Sequence, residues 1–283
     1  MRGILVSFLG ADGIGKSTLV DFLAESLESE GVTVRRVSWR QAHRGTGHLL
    51  ARGRSPGTVA GGVPYARRPG PVGLGPLSLP RDYAEWASGD GEAALARTEL
   101  RGVGPAGPLA SALVGLAGGV LLAGDAVEPA LERGEVVLQE TFPFKQVLKK
   151  LLVCRRIAGD DPAWSPLLDR MQAMAEDVFG GRLFQPDVGV LVDGPLDLAF
   201  RWRTAQSGHV GLLEDYRVAG DSGEAAYLRL QQETVEVFRR LAGQWDWLIH
   251  QVDGSGLEAN LGRGRALVLG HPAFRRFLNP APC

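Results

Sequence analysis

The sequence predicts an α/β protein built on a parallel five-stranded sheet with helices on both faces. Short apolar runs of the kind buried on both sides of a sheet recur along the chain, and stretches with helical spacing of apolar residues separate them. A glycine-rich turn joins the first run to the first such stretch, and strands alternating with helices argue for parallel pairing. With 283 residues and 45 % hydrophobic composition the chain can bury a sizeable core, so a single domain over 1–283 is expected.

The run Ile4 to Leu9 is the first strand. It is too short, and too soon followed by Asp12 and Lys16, to be the apolar part of a secretion signal. From Lys16, the residues Leu19, Val20, Phe22, Leu23 and Leu27 recur at helical spacing up to Gly31, and Val32 to Trp39 reads as the second strand. Between Arg40 and Pro80 the composition turns to Gly, Pro, Arg and Ser, which reads as an insertion over about 41–80. Helices are expected over Asp82 to Arg101 and Leu109 to Arg133, with a third strand from Glu135 to Gln139 after Gly134. Helices over Phe144 to Ala158 and Trp164 to Phe179 precede a strand at Val188 to Val192. Pro195 opens another helix at its first position, where a missing N–H costs nothing. A helix from Glu224 to Leu241, a strand from Trp247 to Val252 and a last helix capped by Ser255 complete the series.

Charge narrows the partners. A formal charge of −1 from 31 basic and 32 acidic residues gives no general attraction to nucleic acid or to an anionic membrane, so any anion must be bound locally. Two cysteines, Cys154 and Cys283, have no metal-ligand spacing and suit a reducing cytoplasm. The uncharged stretch Gly102 to Leu122 is long enough to enter a bilayer but rich in Gly, Ala and Pro, so a buried helix or a subunit contact is the expectation. The five histidines are scattered and are assigned neither to a metal nor to catalysis.

Gly10-Ala-Asp-Gly-Ile-Gly-Lys-Ser17 fits the pattern G-x-x-x-x-G-K-[ST] between an apolar strand and a helix, the setting in which that pattern binds phosphate. Glycines let successive N–H groups turn inward, and the unsatisfied amides and dipole at a helix N-terminus favour an anion. The nucleotide-binding residues are therefore Gly10, Asp12, Gly13, Ile14, Gly15, Lys16, Ser17 and Thr18, with ATP and Mg²⁺ as cofactors. Lys16 would bridge the β- and γ-phosphates, and the Ser17 hydroxyl would ligate Mg²⁺. Glu140, at the C-terminal end of a strand beside the first, can orient that metal or act as base toward an acceptor hydroxyl. Asp193 ends another strand, where a cap on the following helix is an equal reading.

The loop from Gly10 to Thr18 resembles that of the thymidylate kinases, a nucleotide-kinase branch of the P-loop NTPase fold. The stretch Pro129 to Val137, the pair Pro186-Asp187, Val192-Asp193 and the helix carrying Ala199, Arg201 and Arg203 are similar to further parts of that family, in the same order. The resemblance implies a γ-phosphate transfer from ATP to a small acceptor and a homodimer, formed through the helical region whose Gly115 and Gly119 permit close contact. It also implies Asp12 and Arg40 facing the acceptor, and a lid over about 201–218 that supplies Arg201 or Arg203, with Arg217 further off, as a catalytic cation alongside Lys16 and Glu140. Where the family has Asp-Arg-Tyr after the third strand, this chain has Glu140-Thr141-Phe142, and Gly124-Asp125-Ala126 stands where another arginine is usual. Guanidinium grips a phosphate through two parallel bonds that Thr or Ala cannot make. The acceptor is thus either an unphosphorylated molecule or one clamped from the insertion by Arg44, Arg52, Arg54, Arg67 or Arg68. A deoxynucleoside-type or metabolite hydroxyl kinase, and a nucleotide-binding regulator without transferase activity, are the alternatives.

Overall fold

The computed structural model describes residues 2–38, 104–211, 213–221 and 223–279. Arg40, the insertion over about 41–80 and the expected helix at Asp82 to Arg101 lie outside the described residues.

The first strand, β1 (Ile4–Gly10), is buried along its whole length, as its uninterrupted apolar run requires. Its side chains alternate between two cores: Ile4, Val6 and Phe8 face one helical layer, and Leu9 faces the other. Helix α1 (Lys16–Ser29) follows, then β2 (Val34–Val37). After the segment outside the described residues come α2 (Ala106–Leu122), the short α3 (Glu128–Glu132), β3 (Val136–Gln139), α4 (Phe144–Ala158) and α5 (Ser165–Gly180). The chain ends with β4 (Val188–Asp193), α6 (Leu196–Ser207), α7 (Gly223–Gln244), β5 (Leu248–Gln251), α8 (Leu257–Gly270) and α9 (Pro272–Leu278). The five strands form one sheet in the order β2-β3-β1-β4-β5, every neighbouring pair parallel. The expected α/β class and strand count are therefore observed. Within the sheet the two buried polar side chains of β1 and β3 satisfy each other, Ser7 Oγ donating to Gln139 Oε1 at 2.7 Å.

Helix α4 forms the centre of one layer, packed against α2, α5 and α7. Its residues Phe144, Leu148, Leu151 and Leu152 join a core that also holds Phe142, Phe179 and Trp247, with edge-to-face aromatic contacts among them. The opposite layer is carried by α1, α8 and α9 through Leu19, Leu23, Val268 and Phe274.

Three details correct the sequence reading. The single helix expected from Leu109 to Arg133 is interrupted by a π-helical turn at Ala123–Val127. Pro129 offers no N–H to the carbonyl four residues back and its ring crowds that carbonyl, and the wider turn just ahead relieves both problems. Nor does Ser255 cap the helix after β5. Its hydroxyl donates to Asp253, and the residue preceding α8 is Gly256, without a side-chain cap. Pro195 immediately precedes α6 rather than occupying its first position.

Helix α2 and the residues after it, Ala106–Glu132, are apolar and long enough to cross a membrane, yet half of the most apolar window is buried within the fold. Gly115 and Gly119 face inward: a Cβ on the first would lie 3.1 Å from Lys150 Nζ, and on the second 3.1 Å from the Phe179 ring. The close contact these glycines permit is thus made inside one chain.

Lys150 is 2 % exposed in the α2–α4 interface, its ammonium donating to the Ser111 carbonyl at 3.2 Å. Burial, with a lesser push from the Lys149 ammonium, brings its pKa down to about 7. Because the folded value lies below the unfolded one of about 10.4, the unfolded chain holds the proton more tightly. Stability should therefore rise as pH increases from about 7 toward 10, with the full penalty present below 7. Lys150→Met is expected to raise stability at pH 6 by on the order of 2–4 kcal/mol. Urea unfolding at a series of pH values checks this, the gain shrinking toward pH 10.

Candidate functional site

The site is built where β1 hands over to α1. Gly10, at the end of β1, lies so close to β4 that a Cβ there would come within 2.3 Å of the Val192 carbonyl oxygen. The chain then turns through Gly13, whose φ of +79° is left-handed and whose Cβ position lies 2.4 Å from the Ala199 carbonyl of α6. Only glycine meets both conditions. Ile14 is 1 % exposed and anchors the turn in the core. No side chain caps α1, and the first amide to find a helical acceptor is that of Leu19, on the Gly15 carbonyl at 3.0 Å. The amides from Gly13 to Thr18 therefore find no acceptor among the described residues, and they gather at the positive end of the α1 dipole.

Lys16 folds back over this turn, 7 % exposed, its ammonium donating to the carbonyls of Gly10 at 3.1 Å and Ala11 at 2.5 Å. Ser17 Oγ donates to Glu140 Oε1 at 2.5 Å, so the hydroxyl and the carboxylate expected to share a metal are neighbours. Thr18 is at the solvent edge of the helix.

Asp12 is held from two helices. Its carboxylate is gripped by two lysines of α4, Lys145 Nζ at 2.7 Å from Oδ1 and Lys149 Nζ at 2.5 Å from Oδ2. Lys145 also donates to the Gly10 carbonyl at 2.8 Å, the same oxygen that Lys16 uses. From α7, Gln231 accepts from the Asp12 amide at 2.9 Å and donates to Asp12 Oδ2 at 3.0 Å, while the Tyr227 hydroxyl donates to the Asp12 carbonyl. Sequence reasoning missed Lys145, Lys149, Tyr227 and Gln231. The signal for the lysines was present: Lys145, Lys149 and Lys150 interrupt an otherwise apolar stretch, and the first two, four residues apart, share one helix face.

The electrostatics follow from this crowding. Burial pushes the Asp12 carboxyl up, but Lys145, Lys149 and Lys16 outweigh it and hold it well below the usual carboxylate range. Burial and the Lys145 ammonium draw Lys16 down, against the pull of Asp12 and Glu140. Lys149 is likewise lowered, mainly by burial. Lys16, Lys145 and Lys149 thus share the fields of Asp12, Glu140 and Glu214, the last of which is itself paired with Arg203.

The remaining sequence candidates are distributed elsewhere. Arg201 is on the exposed side of α6, pairing with Asp197 at 3.3 Å. Arg203 is mostly buried and pairs through Nε with Glu214 at 2.6 Å, a carboxylate that also accepts from the Gly211 amide. Arg217 makes a chelating pair with Asp215, and Tyr216 beside it is fully buried with its hydroxyl on Glu233. The arginine pairs thus lie within the expected lid and its own helix, and the Tyr216 hydroxyl joins it to α7. Asp193 receives two bonds from Arg239, at 2.7 and 2.9 Å, an ion pair in place of the helix cap. Arg40 lies outside the described residues. Among those described, no three His, Cys, Asp or Glu side chains gather as a metal site. In comparison with known proteins, the chain matches no protein-family model, and no curated protein matches it.

The glycine turn allows a direct check. Gly13→Ala forces a left-handed Ala against the Ala199 carbonyl and the Arg203 Cβ, so the turn must lift from α6. A loss of about 2–3 kcal/mol in urea unfolding is expected.

Proposed function

We propose that this chain is a Mg-ATP-dependent phosphotransferase of the P-loop nucleotide-kinase type, resembling the thymidylate kinases, which moves the γ-phosphate of ATP to a small-molecule acceptor. The observation that carries the reading is the run of unpartnered amides from Gly13 to Thr18 at the head of α1, next to the buried ammonium of Lys16. Its position supports the same reading. β1 is the strand from which the chain moves first to β2 and β3 on one side and later to β4 and β5 on the other. In open parallel sheets the crevice at the C-terminal ends of the strands beside such a reversal is where nucleotides bind.

Phosphoryl transfer asks the protein for alignment and for neutralisation of charge on the transferring group. Loop amides would cradle the β-phosphate, and Lys16 would exchange its carbonyl partners for phosphate oxygens. The hydroxyl of Ser17 and the carboxylate of Glu140, 2.5 Å apart, form the hard-oxygen pair that suits a largely hydrated Mg²⁺. That ion supplies charge neutralisation across the β- and γ-phosphates when bound. Glu140 would also accept a proton from an acceptor hydroxyl through Oε2, which no described residue bonds.

The test is to incubate the protein with labelled ATP and Mg²⁺ against nucleoside monophosphates, nucleosides and hydroxylated metabolites. Transfer to one of these classes is expected, and Lys16→Ala should reduce it by about 10²-fold or more while leaving thermal unfolding intact. Transfer that is unchanged in Lys16→Ala would remove the proposal.

A further inference from the structure

Lys16 and Lys145 donate to one and the same carbonyl oxygen, that of Gly10, at 3.1 and 2.8 Å. Two ammonium groups on a single acceptor are an unfavourable neighbourhood, and here both belong to buried side chains, Lys145 being 1 % exposed. An ordinary core would exclude one of them. The direct ion-pair partner of both Lys145 and Lys149 is the Asp12 carboxylate, while Glu140 and Glu214 act on Lys16 and Lys149 from further off. Glu140 is engaged with Ser17, and Glu214 with Arg203. Three ammonium groups thus converge on loop residues 10–12 against one carboxylate within their direct reach. Meanwhile the arginines of α6 that could neutralise a transferring phosphoryl group are occupied with Asp197 and Glu214.

Resting on the nucleotide reading above, we propose that Lys145 is a second phosphate-binding cation, meeting the terminal phosphate of the nucleotide beside Lys16, and that the Asp12 carboxylate holds its place until the nucleotide arrives. The exchange requires little rearrangement. Asp12 Oδ1 is the oxygen bound to Lys145, whereas Oδ2 is bound to Lys149 and to Gln231 Nε2. Lys145 can therefore transfer to a phosphate oxygen while Lys149 and Gln231 keep the carboxylate ionised and in position. Lys149 is a positioning residue on this account, acting through Asp12. The terminal phosphate is the part of ATP that ADP lacks, so the role separates the two nucleotides.

The experiment is calorimetric titration of the full chain with Mg-ADP and with Mg-AMP-PNP. Lys145→Met is expected to weaken Mg-AMP-PNP about tenfold or more and Mg-ADP by no more than about twofold, the size of one charge-assisted contact to the terminal phosphate. Lys145→Gln, which keeps a donor toward the Gly10 carbonyl but removes the charge, is expected to show the same selective loss, and serves if Lys145→Met does not fold. Equal losses for both nucleotides, or no loss for either, would overturn the role of Lys145 while leaving the nucleotide site standing. Failure of the wild-type chain to bind either nucleotide, with its thermal unfolding cooperative, would overturn the nucleotide reading itself.

Discussion

The contact between the Asp12 carboxylate and the ammonium groups of Lys145 and Lys149 lets helix α4 occupy the middle of its layer. Every residue of α4 from Val147 to Cys154 is buried among α2, α5 and α7, and Lys145 just before them is buried as well, so these lysines have no solvent-facing side. Removing such a charge from water costs several kcal/mol unless a counter-charge with good geometry is at hand. Asp12 is that counter-charge, and it comes from the glycine turn. The turn and the central helix are therefore fastened together by electrostatics rather than by apolar packing, and the ends of the contact lie 133 and 137 residues apart in sequence.

The turn itself depends on the near touch of three backbones. Gly10 abuts β4, Gly13 abuts α6, and Gly15 leads into α1 with a left-handed conformation. Its amides from Gly13 to Thr18 find no acceptor among the described residues. Asp187, one residue before β4, accepts from the Leu5 amide at 2.8 Å and helps set the register between β1 and β4. The same strands whose buried side chains make the two cores thus determine where the glycine turn lies.

Much of this was legible in the chain. The helix at Phe144 to Ala158 coincides with its expected bounds, and the strand expected at Val188 to Val192 starts where expected and runs one residue further, because the apolar pattern there is strong and the strand is buried. The glycine turn was legible because spacing alone distinguishes it. What escaped depends on partners distant in sequence. Nothing near Lys145 indicates that its counter-ion is Asp12, and nothing near Arg203 indicates Glu214 at 2.6 Å. The π turn escaped for a different reason: Pro129 indicates a break, but whether the chain kinks, stops or widens depends on what packs beside it. At Ser255 a local competitor, Asp253, took the hydroxyl that a cap would have used.

Gln231 joins regions that the chain otherwise keeps apart. Its one buried carboxamide meets the Asp12 amide through oxygen, and through nitrogen both the Asp12 carboxylate and the Glu214 carbonyl. An amide group is rigid and planar, so these three bonds cannot be adjusted independently. A shift of the turn by more than the tolerance of a hydrogen bond must either carry the segment around Glu214 with it or break a contact. Through that segment the shift would reach Arg203 and α6. One side chain of α7 thereby serves as a mechanical linkage, converting a small displacement at the mouth of β1 into tension on the residues that follow α6.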